Sequence, residues 1–123
     1  MENFMSYDPW KNLKTRSGLQ GDEVISALQK SIRRGNEECA MEIAYEMYIT
    51  SEQFEDKLWR RLSAIAVEDI GFGEPMAPVV IDALDRMRSK FPYNDGDRPV
   101  FFMHAIRYLC KCAKERSTDC MKS

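Results

Sequence analysis

Between residues 22 and 116 apolar side chains recur at steps of three and four almost without a break, and nowhere do they alternate one by one. Steps of three and four lay a stripe along one face of an α-helix, whereas a strand on a half-buried sheet needs a period of two. The chain is therefore expected to be all-α, and helix-end residues divide it into about five helices. Asp22 and Glu23 sit where acids favour the positive end of a helix dipole. Val24, Leu28 and Ile32 follow, with Ile25 beside them, and Gly35 stops the run. Asn36 is placed to cap a second helix carrying Ala40, Ala44 and Met47, widened by Met41 and Tyr48. Thr50 with Gln53 reads as a capping box for a third, whose line is Phe54, Leu58, Leu62 and Ile65, reinforced by Trp59, Ala66 and Ile70. Gly71 ends it. Gly73-Glu74-Pro75 opens a fourth helix, with Met76, Val80, Leu84, Met87 and Phe91 as its expected buried line. A loop spans 91–96. Asp97 and Pro99 then begin a fifth helix that buries Phe102, Ile106, Leu109 and Ala113.

Five such helices with short links make a compact antiparallel array or bundle. Its domain is expected to span 22–116. Residues 1–21 lack periodicity and carry the turn formers Asp8-Pro9, Ser17-Gly18 and Gly21, yet Phe4, Tyr7 and Trp10 are too apolar for a wholly solvated tail. They read as an arm that partly docks, on the domain or on a neighbouring subunit. Residues 117–123 read as a flexible tail. The 123 residues suffice for one core, since a chain of this length buries roughly two-thirds of its unfolded surface.

Charge narrows the choice of partner. With 18 Lys and Arg against 20 Asp and Glu, the chain has no general basic excess, so any nucleic-acid contact must come from a local patch. No apolar run approaches the ~20 residues of a membrane span. The first residues lack a signal peptide's basic start and apolar stretch, so a cytoplasmic location is expected. In that reducing setting Cys39, Cys110, Cys112 and Cys120 read as free thiols rather than a disulfide framework.

Catalytic and cofactor motifs are not assembled. Phosphate cradles need glycine-opened backbone N–H groups, normally after a strand, whereas Gly71-Phe72-Gly73 joins two helices. Cys110 and Cys112 are two apart and diverge on a helix, and the single histidine, His104, completes no set of four zinc ligands. His104 has no evident nucleophile or carboxylate to work with. No enzyme activity, cofactor or metal is expected. Most paired acids read as solvated faces. Glu68-Asp69 differs, because acids at a helix end are disfavoured by its dipole. They call for a compensating partner, an arginine elsewhere in the domain or across an interface.

Basic residues cluster at Lys30/Arg33/Arg34, at Arg60-Arg61 beside Trp59, at Arg86/Arg88/Lys90, and at Arg107/Lys111/Lys114/Arg116. Each set occupies one helix face. They read as solvated faces with helix-end complementation or, alternatively, as sequence-independent contacts to a phosphate backbone. Trp59 between apolar and basic neighbours also has the make-up of an interface anchor. Trp59, Val79 and Ile81 spread apolar surface over more than one face of the third and fourth helices, more than a lone bundle is expected to hide.

Four ordered blocks carry a family resemblance. They are Ile25-Ser26-Ala27-Leu28-Gln29-Lys30-Ser31-Ile32-Arg33, Ala40-Met41-Glu42-Ile43-Ala44, Arg60-Arg61-Leu62 leading into Glu68-Asp69-Ile70-Gly71, and Ala105-Ile106-Arg107-Tyr108-Leu109. Together they resemble the C-terminal helical region of the replication-associated recombination ATPases, the clamp-loader-like AAA+ family that includes the Werner-helicase-interacting proteins. The likeness covers about residues 22–116. It implies a helical oligomerisation domain similar to a clamp-loader collar, tetramers, and a role in DNA replication, recombination and repair. These residues contain no counterpart of the family's ATPase core and lid, so ATP hydrolysis is not expected to carry over. Arg34 intrudes where the family passes from arginine to glycine, Val67 replaces a serine, and Cys110 to Arg116 replaces the family's tail.

The expectation is thus a non-catalytic assembly module. It would pair with itself, a homotetramer being favoured, or with a full-length AAA+ relative. The alternative is a DNA-binding accessory protein. Lys30, Arg33, Arg34, Trp59, Arg60, Arg61, Glu68 and Asp69 are the candidate partner or DNA contacts.

Overall fold

The structure, a computed structural model, describes Trp10 and residues 12–122, with side chains described as far as Glu115. Five α-helices follow one another: α1 Gly21–Arg33, α2 Glu37–Thr50, α3 Glu52–Ile65, α4 Ala77–Arg88 and α5 Pro99–Lys122. Among the described residues the only β pairing is an isolated bridge between Lys14 and Gln20. The architecture is an all-α array. The helix α5 takes in most of the stretch read as a tail, and Phe4 and Tyr7 of the expected arm lie outside the described residues.

Helix boundaries follow local chemistry. Asn36 caps α2 by accepting a hydrogen bond from the Cys39 N–H at 3.1 Å. For α3 the cap is one residue later than the Thr50–Gln53 pairing suggests. Ser51 holds extended backbone (φ −174°, ψ 166°) and its hydroxyl accepts from the Phe54 N–H. Thr50 is still helical, and its hydroxyl donates to the Glu46 carbonyl one turn back, so it cannot supply the extended geometry a cap requires. Gly35 ends α1 at φ +69°, with its N–H on Ile32 O and the Asn36 N–H on Ser31 O. A side chain is strained in that left-handed region.

The core is continuous. Leu28 and Ile32 of α1, Ala44 and Met47 of α2, Leu58, Leu62 and Ile65 of α3, and Phe102, Ile106 and Leu109 of α5 are fully buried, and full burial of each large aliphatic is worth about 1.5–3 kcal/mol. The helix α5 packs against each of the other four. Ahead of α1, residues 13–20 fold back onto the end of α2. The Arg16 and Ser17 N–H groups donate to Thr50 Oγ1 and to a Glu46 carboxylate oxygen, both at 2.8 Å. Trp10 meets Phe54 edge to face with centroids 5.0 Å apart.

In α4 the buried line differs from the expected one. Ala77 and Ile81 face the core with Leu84 half-buried, while Met76 and Met87 are exposed. Two causes rotate the helix. Ala77 is small enough for close approach, and Arg88 is drawn inward by a carboxylate. That carboxylate is Glu55 of α3, 0% exposed. Arg98 reaches it through Nε and Nη2, both at 2.9 Å, and Arg88 Nη1 lies 3.2 Å from the same group. Arg88 also holds Asp85 at 2.8 Å and Asp56 at 3.4 Å, and Arg98 donates to the Phe91 carbonyl. Beside this network the Tyr48 and Tyr93 hydroxyls each donate to the other's carbonyl oxygen. Burial, then the Glu55 charge, pushes both phenols above their ordinary range. Together these bonds fasten the α4–α5 loop onto α2 and α3.

Candidate functional site

The expected contact residues do not form one site. Lys30, Arg33 and Arg34 are exposed at the end of α1. Arg33 Nε lies 3.2 Å from Asp69 Oδ1, and Gln29 donates to Asp69 Oδ2 at 3.0 Å. Asp69 is therefore compensated inside the domain, whereas its neighbour Glu68 is exposed. Arg60 is exposed on α3. Arg61 is half-buried and lines a cleft of about 280 Å³ with Trp10, Asp22, Ile25 and Lys57. Neither Arg61 Nε nor Asp22 Oδ1 meets a hydrogen-bond partner there.

Trp59 is not a surface anchor. It is 1% exposed, with the Arg88 guanidinium 5.5 Å from its ring centroid. The helical phase that buries Leu58, Leu62 and Ile65 carries it inward too. Ile81 is buried as well, so of the three residues expected to hold surplus apolar surface only Val79 does. The set Arg86/Arg88/Lys90 likewise comes apart. Arg88 is interior, and Arg86 pairs with Asp82 at 2.8 Å.

The surplus lies instead where α3 ends. Its hydrogen-bond ladder widens into one π-helical turn, Ala66–Ile70, and Gly71 then takes φ +56° to start a tight turn, Gly71–Gly73. Single π turns of this kind are often associated with functional sites. The consequence here is that Phe72 stands outside the core, 100% exposed. Val67 beside it is also exposed, as are Met76 and Val79 further along the chain. Beside Phe72 runs an apolar groove of about 250 Å³, lined by Ala66, Val67, Gly71, Phe72, Pro75 and Pro78. Met76, just before α4, and Val79 and Met87 on it are exposed at helical spacing. Clustered exposed apolar side chains beside a groove are a common mark of an interaction site, although Leu19, Tyr45 and Val100 are exposed elsewhere on the surface. The sequence carried a signal for Phe72, which stands between two glycines in a link with no helix face on which to hide.

Other chemistry-bearing groups are subdued. Cys110 is buried, and desolvation pushes its thiol up to about 11. Cys112 is raised for the same reason, and burial pushes the Tyr108 phenol up to about 12. His104 is exposed. Among the described residues no group of three or more His, Cys, Asp or Glu is arranged to hold a metal ion, and no helix is long and apolar enough to cross a membrane. Comparison with protein-family models, with curated proteins and with solved structures returns no match.

Proposed function

We propose that this protein is a non-catalytic helical assembly module, similar in role to the C-terminal oligomerisation region of the replication–recombination AAA+ ATPases. The observation that carries this reading is the apolar surface around Phe72. A fully exposed phenylalanine beside an apolar groove is unfavourable in water and becomes favourable when another chain covers it. The buried ion network, by contrast, is self-contained: Glu55, Arg88 and Arg98 satisfy one another within the fold. Size-exclusion chromatography with light scattering tests the proposal. A mass that is a multiple of 14.3 kDa at micromolar concentration is the expected result, and a strictly monomeric particle would remove the reading's support.

A second reading, sequence-independent DNA binding, draws on one contact. A Cβ placed on Gly35 would lie 2.5 Å from the Lys114 side chain, so the basic end of α1 lies beside the Lys114 turn of α5. Acids intervene on that face, because Arg33 is paired with Asp69 and Arg107 Nε lies 3.5 Å from Glu37. Binding through it would fall steeply with added salt, and no retardation of duplex DNA at low salt would end this reading.

A further inference from the structure

We infer that the cleft between α1 and α3 binds a free α-amino acid with an apolar side chain. Asp22 holds its ammonium and Arg61 its carboxylate. The cleft measures about 280 Å³ and is lined by Trp10, Asp22, Ile25, Lys57 and Arg61. Two helices supply the charged residues. Asp22 and Ile25 stand three apart on α1, and Lys57 and Arg61 four apart on α3, so each pair shares a helix face. Trp10 adds an aromatic wall and is well fastened. Its ring meets Phe54 edge to face, and the Lys57 ammonium lies 5.6 Å from its centroid. A Cβ on Gly21 would fall 2.6 Å from the Trp10 carbonyl oxygen, so glycine is what lets the tryptophan backbone lie against the start of α1.

The polar groups of the cleft select the ligand's charges. Asp22 and Arg61 are opposite in charge and line the same cleft, yet among the described residues no ion pair joins them. Asp22 Oδ1 and Arg61 Nε are both buried there without a hydrogen-bond partner. Folded proteins pair nearly all such atoms, and leaving one unpaired is costly. A molecule carrying a donor and an acceptor together answers both groups at once. The guanidinium fork of Arg61 matches a carboxylate, and Lys57 adds a second positive charge beside it. A phosphate would supply no donor for Asp22, and a plain amine would supply no anion for Arg61. An α-amino acid carries both ionic groups on one carbon. It also suits the size, since sites for drug-sized ligands span about 300–1,000 Å³ and this one is smaller. Trp10 and Ile25 offer its side chain apolar contact. The inference goes beyond the assembly reading and uses no residue of the Phe72 surface.

Isothermal titration calorimetry on the full chain tests this, with L-leucine, L-isoleucine, L-methionine and L-phenylalanine as titrants. The amide and the N-acetyl derivative of each are titrated beside it. At least one free amino acid should bind, and its two derivatives, each lacking one charge, should bind roughly tenfold or more weakly. Asp22→Asn and Arg61→Gln should each weaken the free amino acid by a similar factor. Arg60→Gln is the control, because Arg60 is exposed on α3 and does not line the cleft; its Kd should match wild type. Helical circular dichroism shows whether the variants fold, and the comparison of derivatives on wild type stands even where one does not. No heat and no rise in melting temperature with any of the four at millimolar concentration overturns the inference. Equal affinity for a free amino acid and its amide or N-acetyl derivative overturns it too, as does a loss in Arg60→Gln equal to that in Arg61→Gln.

Discussion

Replacing Glu55 by glutamine keeps its volume and removes its charge, which makes it a sharp test of how the fold is held. The carboxylate is fully buried and accepts two bonds from Arg98 and one from Arg88. After the change Arg88 keeps Asp85 and Asp56, and Arg98 keeps the Phe91 carbonyl, but Arg98 has no remaining anionic partner among these contacts. Breaking a buried pair by removing one partner typically costs about 3–5 kcal/mol, because the other charge is left desolvated and uncompensated. For a chain of this length, about 4 °C of melting temperature accompanies each kcal/mol. Glu55→Gln should therefore melt roughly 12–20 °C lower. Urea unfolding at neutral pH reads the same quantity. The expected result is a lower midpoint at an unchanged slope, since the area exposed on unfolding is the same. A midpoint indistinguishable from wild type would show that this ion network does not hold α3 to the α4–α5 loop. A second substitution, Arg98→Met on top of Glu55→Gln, should cost less than the two single changes added together, as expected of direct partners.

Three further outcomes follow from single sites. Gly35→Ala places a side chain at φ +69° and against Lys114; it should destabilise by about 1–2 kcal/mol, and adding Lys114→Ala should recover the clash but not the backbone strain, both read by urea midpoints. The Glu46 carboxyl is held below its ordinary 4.5 first by the Thr15 hydroxyl and then, against some desolvation, by Ser17. Its folded value is the lower one, so its contribution is present above the unfolded value and lost as pH falls through the folded one. The stability gap between wild type and Glu46→Gln should accordingly be full at neutral pH and close progressively below about pH 4.5, and a pH-independent gap would contradict the assignment. Cys110, buried and with its thiol pushed up to about 11, should resist thiol reagents at pH 8 in the native chain and react once urea unfolds it; equal labelling rates, mapped by mass spectrometry, would show that the site opens.

The fold was legible because helical spacing is a local property. Leu28, Ile32, Leu58, Leu62, Ile106 and Leu109 all lie where a period of 3.6 puts them, and all are fully buried. The phase of α4 was not legible. Met76, Val80, Leu84 and Met87 form as good a stripe as Ala77, Ile81 and Leu84. Only the close approach permitted by Ala77 and the pull of Glu55 on Arg88 chooses between them. Those are facts of tertiary contact, not of spacing. The arginine partner for the Glu68-Asp69 pair was legible in kind, from the unfavourable dipole end, and the structure identifies it as Arg33 acting on Asp69. Trp59 misled, because residues beside an arginine pair look superficial until the helix phase is fixed by its neighbours. Phe72 was visible in the sequence but ambiguous in meaning. Glycines on either side explain why the chain turns there, whereas its full exposure depends on the π turn that ends α3.

Amide hydrogen exchange followed over a dilution series looks most directly at whether the Phe72 surface is covered in solution. If a second copy seats there, peptides containing residues 66–79 should exchange more slowly as concentration rises, while peptides from α1 and α2 stay unchanged. Exchange through residues 66–79 that is fast and independent of concentration would mean that no other copy of the chain covers this surface.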